Sequence, residues 1–556
     1  MSFYICFDKD GQRNQILLQE QIVPSKGSVL INHKYYLLHG TPSQIQWLKE
    51  KLPELSSNSD ISIEELKSRI EPEIKNFSCS TTMATHTVSM SKLRKQDREK
   101  RLLNLMEKAW IPGMSVAVVF DSQVAWTEAL GVANFESKEK VTDHTMFEAA
   151  SLSKPLFAYI VLSLAERGEF DLDKPLYEIL PSYKGMERDP RHMKLTARLV
   201  LSHRTGLPNW GKAPLEFQFT PDEGFGYSGE GFVYLQKIIE MITGKKLEEI
   251  AREEVFEPLG MTSSRYSWEE GEEMPALAFG HNETYTVQRK RIPHEGNSAA
   301  SLHTTAGDYA RFLVAWLGNK RLMRAFYVPP GENKIDWGLG IGVQKTEKRT
   351  IAFQWGDNDS FKSFVAINPN DRSAIVYFTN STNGLAICRK IANEAVGDIS
   401  QAFDWLSKTC GYESCDTPGY LERHQGLASA KQGNYPEAIA YFEKAIEADS
   451  DDKKSQHYIE VITDLIHVID KPLMISKEVL QRYEGRYGPW RLKLENDKLI
   501  GYFNEKKGDM LIPLTKNSFI LKESLERIVV YADDDPRIKV YLIDGHVMTD
   551  RRKADD

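Results

Sequence analysis

Ser151 and Lys154 are the two residues whose types and spacing could do chemistry. They lie in the run Glu148-Ala149-Ala150-Ser151-Leu152-Ser153-Lys154-Pro155-Leu156-Phe157-Ala158-Tyr159, where small residues open an apolar segment. On a helix, side chains three positions apart share a face, with Cβ atoms roughly 5–6 Å apart, so this hydroxyl and this amine can meet. A serine hydroxyl is a weak nucleophile at neutral pH unless a base takes its proton, and a neutral lysine amine is such a base. An ordinary lysine pKa of about 10.4 must fall to near 7 for that work, which costs about 4 kcal/mol. Burial behind Leu152, Leu156 and Phe157 is the means the sequence offers. A helix starting here also sets backbone N–H groups beside Ser151, where an oxyanion would form.

Ser-X-X-Lys recurs at Ser89 and Lys92, at Ser137 and Lys140, and at Ser450 and Lys453. Those copies fall in a Ser/Thr/Met-rich stretch, a charged turn and an acidic loop. None opens an apolar helix, so only Ser151 has the context a nucleophile needs.

The elements that must position this pair follow from periodicity. Met114 to Phe120 and Val124 to Gly131, joined across Asp121-Ser122-Gln123, read as a β-hairpin. The Ser151 helix runs to near Gly168, and a largely helical middle extends to about Phe312. A second hairpin is predicted from Lys362–Asn368 and Ser373–Phe378, turning at Pro369-Asn370-Asp371. A helix from about Gly384 to Leu406 closes the unit. Hairpins at both ends of a helical middle predict an α+β fold, one antiparallel sheet flanked by helices with an inserted α region.

At 556 residues the chain has room for two to four domains. A net charge of −8 with 27% charged residues offers no basic surface for nucleic acid. Five scattered cysteines without C-X-X-C spacing suit a reducing compartment. The histidines show no clustered ligand spacing, so no metal and no cofactor is expected. The N-terminus has no basic leader, and no run approaches the ~18 apolar residues that span a bilayer. The reading is a cytoplasmic protein with no membrane association, although export by an uncleaved signal would leave no recognisable trace.

Ser151-Leu152-Ser153-Lys154, Glu169-Phe170-Asp171-Leu172-Asp173-Lys174-Pro175, Leu201-Ser202-His203-Arg204-Thr205-Gly206-Leu207-Pro208 and Tyr227-Ser228-Gly229 follow one another in order. Ile242-Thr243-Gly244, Phe256-Glu257-Pro258-Leu259-Gly260-Met261 and Thr304-Thr305-Ala306-Gly307-Asp308 come after them. This ordered set resembles the serine β-lactamase and penicillin-binding-protein-like hydrolases, most of all the branch with class C β-lactamases, D-aminopeptidases and esterases. The resemblance covers roughly Lys95 to Lys408. It implies an acyl-enzyme mechanism in which Ser151 attacks a carbonyl and Lys154 accepts its proton. Tyr227, at the place of the family's Tyr-X-Asn tyrosine, then relays protons to the leaving group. A phenol near pKa 10 suits that role when a lysinium lies beside it.

Two departures from the family pattern bear on recognition. Its asparagine is Gly229 here. Its Lys-Thr-Gly or His-X-Gly on the sheet edge reads Gln354-Trp355-Gly356. Glutamine has neither charge nor proton-shuttling ability, yet it donates hydrogen bonds. Gly229, Gln354, Trp355 and Gly356 are therefore the expected substrate-binding positions. The backbone N–H groups of Ser151 and Asp357 are the implied oxyanion donors. The resemblance implies an active site with altered recognition and no β-lactam hydrolysis.

Other candidates carry less. Gly226-Tyr227-Ser228-Gly229-Glu230 nearly spells the Gly-X-Ser-X-Gly elbow, but Glu230 replaces the last glycine and no parallel-type strand leads into it. His203 reads as a loop-ordering residue. Trp210, Phe217, Phe219, Phe225 and Trp337 are candidates to line the cleft, against the alternative of packing.

Outside the hydrolase-like region, residues 1–90 read as an α+β segment and a linker. Strand-like runs Phe3–Phe7 and Ser28–Leu38 flank the turn Asp8–Gly11. Helix starts are predicted at Thr41-Pro42 and Ser62, and Ser78–Ser91 reads as linker. Residues 91–409 form the hydrolase domain. Residues 410–470 contain one tetratricopeptide-like unit, Gly419 to Asp449, a helical connector that must pack on the hydrolase domain or on the helix Ser455–Val468 and that offers a protein partner a surface. Residues 471–556 alternate with period two through Trp490, Leu492 and Leu494, and predict a small C-terminal all-β domain.

The expectation is a serine hydrolase acting on an amide or ester, either a D-amino-acid-containing peptide or a small ester. The competing reading is a catalytically silent binding or scaffold protein that keeps the cleft for recognition.

Overall fold

Asp121 and Ser122 both take left-handed backbone, φ 50° and 58°. That is the twist a two-residue hairpin needs, and it joins β1 (Gly113–Phe120) to β2 (Gln123–Gly131) with Phe120 opposite Gln123. This hairpin is one side of a seven-stranded antiparallel sheet. The other strands are β3 (Ile335–Trp337), β4 (Gly342–Lys345), β5 (Thr350–Asp357), β6 (Lys362–Asn368) and β7 (Ser373–Thr379), in the order β3-β4-β5-β6-β7-β1-β2. The computed structural model describes residues 2–7, 13–19, 29–30, 34–39, 78–80, 87–88, 94–288, 290–326, 334–346, 350–503, 508–522, 526–531, 536–541 and 547–553. It divides into two units, residues 1–413 and 414–556.

Every residue of β6 and β7 is buried. A strand covered on both faces needs apolar side chains throughout rather than in alternation, and Ala374-Ile375-Val376-Tyr377-Phe378 supplies them. Helix α1 (Lys95–Lys108) packs on β2, and helix α4 (Ala306–Gly318) packs on β1, β2 and β7. Helices α2 (Ser153–Glu166) and α3 (Gly229–Thr243) belong to the inserted helical region. Leu156, Phe157, Phe232 and Leu235 join Val365, Val376 and Phe378 in one core. The mixed helix and antiparallel-sheet architecture is the one the sequence predicts.

Two local expectations are corrected. The closing helix is two helices, α5 (Cys388–Val396) and α6 (Ser400–Cys410), because Gly397 sits at φ 100° and breaks the run. The Ser78–Ser91 linker contains strand pairings: Ser78–Ser80 pairs with Lys34–His39, and Thr87–Val88 with Val29–Leu30. Short β-branched or hydroxyl-bearing segments suffice to extend a sheet by two or three residues. The strand-like run Ser28–Leu38 is divided into those two partner strands, whereas Ser2–Phe7 is a single strand pairing with Arg13–Gln19. The helix starts at Thr41 and Ser62 and the turn at Asp8–Gly11 lie outside the described residues.

In the second unit, helices Tyr420–Lys431 and Tyr435–Ala448 form the repeat-like pair. The second of them packs on helix Lys453–Asp470, with Phe442 stacked on Tyr458 at 4.9 Å. Ile512 and Ile520 of the following strands, and Leu514 between them, join that helical core. Eight strands from Gly485 to Arg552 then form an antiparallel meander, each paired with the next, around Tyr487, Trp490, Phe519 and Val540. Among the described residues, no helix is long and apolar enough to cross a membrane.

Candidate active site

Ala150-Ser151-Leu152 forms a single 3-10 turn that runs directly into α2. In a 3-10 turn side chains at i and i+3 eclipse, and the Lys154 Nζ accordingly lies 3.0 Å from the Ser151 Oγ. The same Nζ donates to the Ala299 carbonyl at 2.8 Å. Lys154 is buried while Ser151 is half-buried, so the amine is dry and the hydroxyl remains reachable. Burial lowers the Lys154 pKa to about 7. No carboxylate is hydrogen-bonded to the amine in the described structure.

Tyr227 comes from the loop before α3 and completes the group. Its hydroxyl is hydrogen-bonded to Ser151 and accepts from Gln354 Nε2 at 2.8 Å. The Lys154 Nζ lies 4.8 Å from the centre of its ring. The lysinium expected to bring the phenol down does not do so, since Lys154 is itself close to neutral. Burial instead pushes Tyr227 well above its ordinary value.

His203 orders this loop. Its ring stacks on Tyr227 at 4.3 Å, and its Nδ1 accepts from the Ser228 N–H at 3.0 Å. Burial, then the nearby Lys154, hold His203 far below its ordinary pKa, so it is neutral. Ser228 is no nucleophile. Its Oγ donates to the Pro208 carbonyl and accepts from the Gly231 N–H, which makes it the N-cap of α3.

Gln354 is fully buried on β5. Its Nε2 also meets the Trp355 carbonyl at 2.9 Å, whereas its Oε1 has no partner. The strand is not the sheet edge anticipated from the motif. It lies third from one side, but β4 stops at Gly342 opposite Phe353, so Gln354–Asp357 projects beyond its neighbour. Asn358 and Phe361 exchange both backbone hydrogen bonds. By the alternation of an antiparallel ladder, the Asp357 amide points away from β6 to the free side. The Ser151 amide belongs to the first turn of a helix, where no intrahelical acceptor exists.

Gly356 sets how closely β5 approaches that turn. A Cβ there would lie 2.1 Å from Ser363 Oγ and 2.4 Å from the Ala149 carbonyl. At Gly229 a Cβ would fall 2.7 Å from the Trp210 ring. The indole thus occupies the space the family's asparagine would use. Phe225, Trp337 and Trp355 cluster with Tyr227, joined by Trp405 from α6, at ring separations from 5.1 to 6.3 Å. Phe217 instead packs under Arg191, and Phe219 against Gly206, Gly224 and Gly226.

Three contributors were not singled out in the sequence. Glu148 is buried and accepts from Asn358 Nδ2 at 2.7 Å, and that amide also reaches the Ala300 carbonyl at 3.2 Å. Desolvation raises Glu148 to about 7, against the lowering effect of the Asn358 hydrogen bond. A lone acid three residues before the serine is the only signal it gave. Trp405 and Tyr412 come from the end of the unit, and no motif marks them. Among the described residues, no cluster of His, Cys, Asp or Glu could hold a metal ion.

A family model described as beta-lactamase matches residues 99–394. The chain belongs to the β-lactamase family. An unguisins hydrolase of Aspergillus campestris is 25% identical over 401 residues, covering 61% of this chain and 72% of that protein. A penicillin-binding protein of Bacillus subtilis is 24% identical over 338 residues, covering 51% and 72%. Among solved structures, a class C β-lactamase aligns with a TM-score of 0.46 at 20% identity, over 53% of this chain and 94% of that one. A penicillin-binding protein homologue from Pyrococcus abyssi aligns with a TM-score of 0.47 at 16% identity, over 83% of this chain and all of the other. In this β-lactamase-family chain, Ser151, Lys154, Tyr227 and Gln354 all lie within the matched region. Trp405 and Tyr412 lie beyond it.

Proposed function

We propose that this chain is a serine hydrolase that cleaves an amide or ester through an acyl-enzyme on Ser151, with Lys154 as the base. The observation that carries the reading is a dry amine of pKa about 7, 3.0 Å from a reachable serine hydroxyl. The hydrogen-bond directions support it. The Gln354 NH2 is held by the Trp355 carbonyl, so it presents N–H to the Tyr227 oxygen. Tyr227 then gives its own proton toward Ser151 Oγ. The serine proton is left to point at the lone pair of neutral Lys154, one of whose two N–H groups donates to the Ala299 carbonyl. With the amine neutral, the serine is aligned for deprotonation.

Attack by Oγ on the substrate carbonyl carbon moves that proton to Lys154. The carbonyl oxygen gains negative charge between the amides of Ser151 and Asp357. Collapse expels the amine or alcohol, which takes the proton held on Lys154 through the Tyr227 hydroxyl. Water then cleaves the acyl-serine by the same route in reverse. With a neutral amide at Gln354 and an indole over Gly229, the site suits uncharged substrates such as a small ester or an internal amide, a D-residue peptide included. A fluorophosphonate probe tests the reading: labelling is expected in the native chain and absent in Ser151→Ala. Equal labelling of both would rule Ser151 out as nucleophile.

A further inference from the structure

The oxyanion donor Asp357 carries a negative charge on the same residue as the amide that must stabilise a negative charge. A β-carboxylate is tethered to its own amide, so an unrestrained Asp357 side chain would lie within a few ångströms of the developing oxyanion. There it would oppose the charge that the amide favours. Both oxygens of this carboxylate are engaged. Its Oδ1 takes the Lys362 ammonium at 2.5 Å and the Asp359 N–H at 3.0 Å, and its Oδ2 takes the Tyr412 hydroxyl at 2.6 Å.

These contacts follow from the fold. Asp357 and Lys362 face each other across the β5–β6 hairpin in a pair without mutual backbone hydrogen bonds, the arrangement that brings side chains closest. The Lys362 side chain is only 7% exposed and also donates to the Asp359 carbonyl at 2.9 Å, so the cation is fixed in place. Tyr412 follows α6, outside the region matched by the family model, and its oxygen is hydrogen-bonded by the side chain of Trp355. Trp355 and Asp357 are two apart on one strand and therefore share a face, so Tyr412 spans both.

We propose that Lys362 and Tyr412 are positioning residues that neutralise the Asp357 carboxylate and keep it turned aside, so that only the Asp357 amide meets the oxyanion. This rests on the reading of Ser151 as nucleophile. The chain has an acid where the oxyanion donor stands, and it carries a buried cation and a phenol to keep that acid harmless.

The test is p-nitrophenyl acetate hydrolysis by the full-length chain, with fluorophosphonate labelling rates alongside. Lys362→Met is expected to lower kcat about tenfold or more with KM within about twofold, approaching the 10²–10³ loss of a missing oxyanion donor. Tyr412→Phe is expected to lower kcat by a smaller factor. Adding Asp357→Asn to either variant should recover most of the loss, because a carboxamide in the same place no longer repels the oxyanion. A purely structural staple would show no such recovery. Unchanged kcat in both single variants, or losses in folded protein that Asp357→Asn fails to recover, would overturn the proposal. If Lys362→Met does not fold, Tyr412→Phe with and without Asp357→Asn decides alone. Absence of any Ser151-dependent turnover or labelling in the native chain is a different result, one that removes the hydrolase reading and this inference with it.

Discussion

Gln354 donates from Nε2 to the Tyr227 hydroxyl at 2.8 Å, and in the proposed mechanism that bond sets the direction of the proton chain through Ser151 to Lys154. Replacing it with a non-donor of similar size, Gln354→Leu, frees Tyr227 to turn its proton elsewhere. A hydrogen bond of this kind contributes about 1–1.5 kcal/mol, so kcat should fall about tenfold while Ser151 still labels. Steady-state ester hydrolysis measures it, and a rate equal to wild type would show that the direction of the chain is not set at this residue.

Lysine is a base only when neutral. With the Lys154 pKa near 7, kcat/KM should be low at pH 5, rise through about pH 7 and level off above about pH 8, since it reports groups of the free enzyme. Lys154→Arg stays charged throughout this range and should lose about four orders of magnitude. An activity limb centred near pH 10 would mean that the amine is not desolvated as described.

Trp210 and Gly229 should be coupled in stability. Gly229→Asn places a Cβ 2.7 Å from the indole and 3.0 Å from the Asn209 carbonyl, which should cost about 1–2 kcal/mol by overpacking. In a Trp210→Ala background most of that cost should vanish. Urea midpoints of the four proteins give the coupling energy, and strictly additive effects would argue against the shared volume.

Glu148 makes stability depend on pH. Its folded pKa, about 7, lies above the ordinary carboxyl value of 4.5, so between those values the folded state binds the extra proton. Stability must therefore fall as pH rises from about 4.5 to 7, by an amount on the order of 3 kcal/mol. The groups facing it are Asn358, Arg291 and Asp359. Glu148→Gln, which cannot ionise, should flatten that part of the profile in urea titrations at pH 5 and pH 7. An unchanged slope would place the titration elsewhere.

Much of this was legible in the linear chain. Ser151 and Lys154 are close in sequence, and the geometry that joins them spans a single helical turn, so spacing and an apolar context suffice. The β1–β2 hairpin was equally local, fixed by two left-handed turn residues. The break at Gly397 was missed because a glycine inside an otherwise helical pattern is tolerated as often as it terminates.

What only the tertiary structure decided lies in contacts between distant segments. The hydrogen bonding of the Tyr227 hydroxyl depends on Gln354, 127 positions away, and its raised pKa on burial shared by several elements. Trp210 standing in for a side chain at Gly229, Asn358 bridging to Glu148, and Tyr412 reaching back to Asp357 across 55 positions have no local pattern to reveal them. The sequence by itself determined the proximity of Ser151 and Lys154 and the kind of sheet, because helix and strand periods are set by near neighbours. The protonation states and the recognition surface were decided by folding, because desolvation and close packing are properties of the three-dimensional surroundings of a residue.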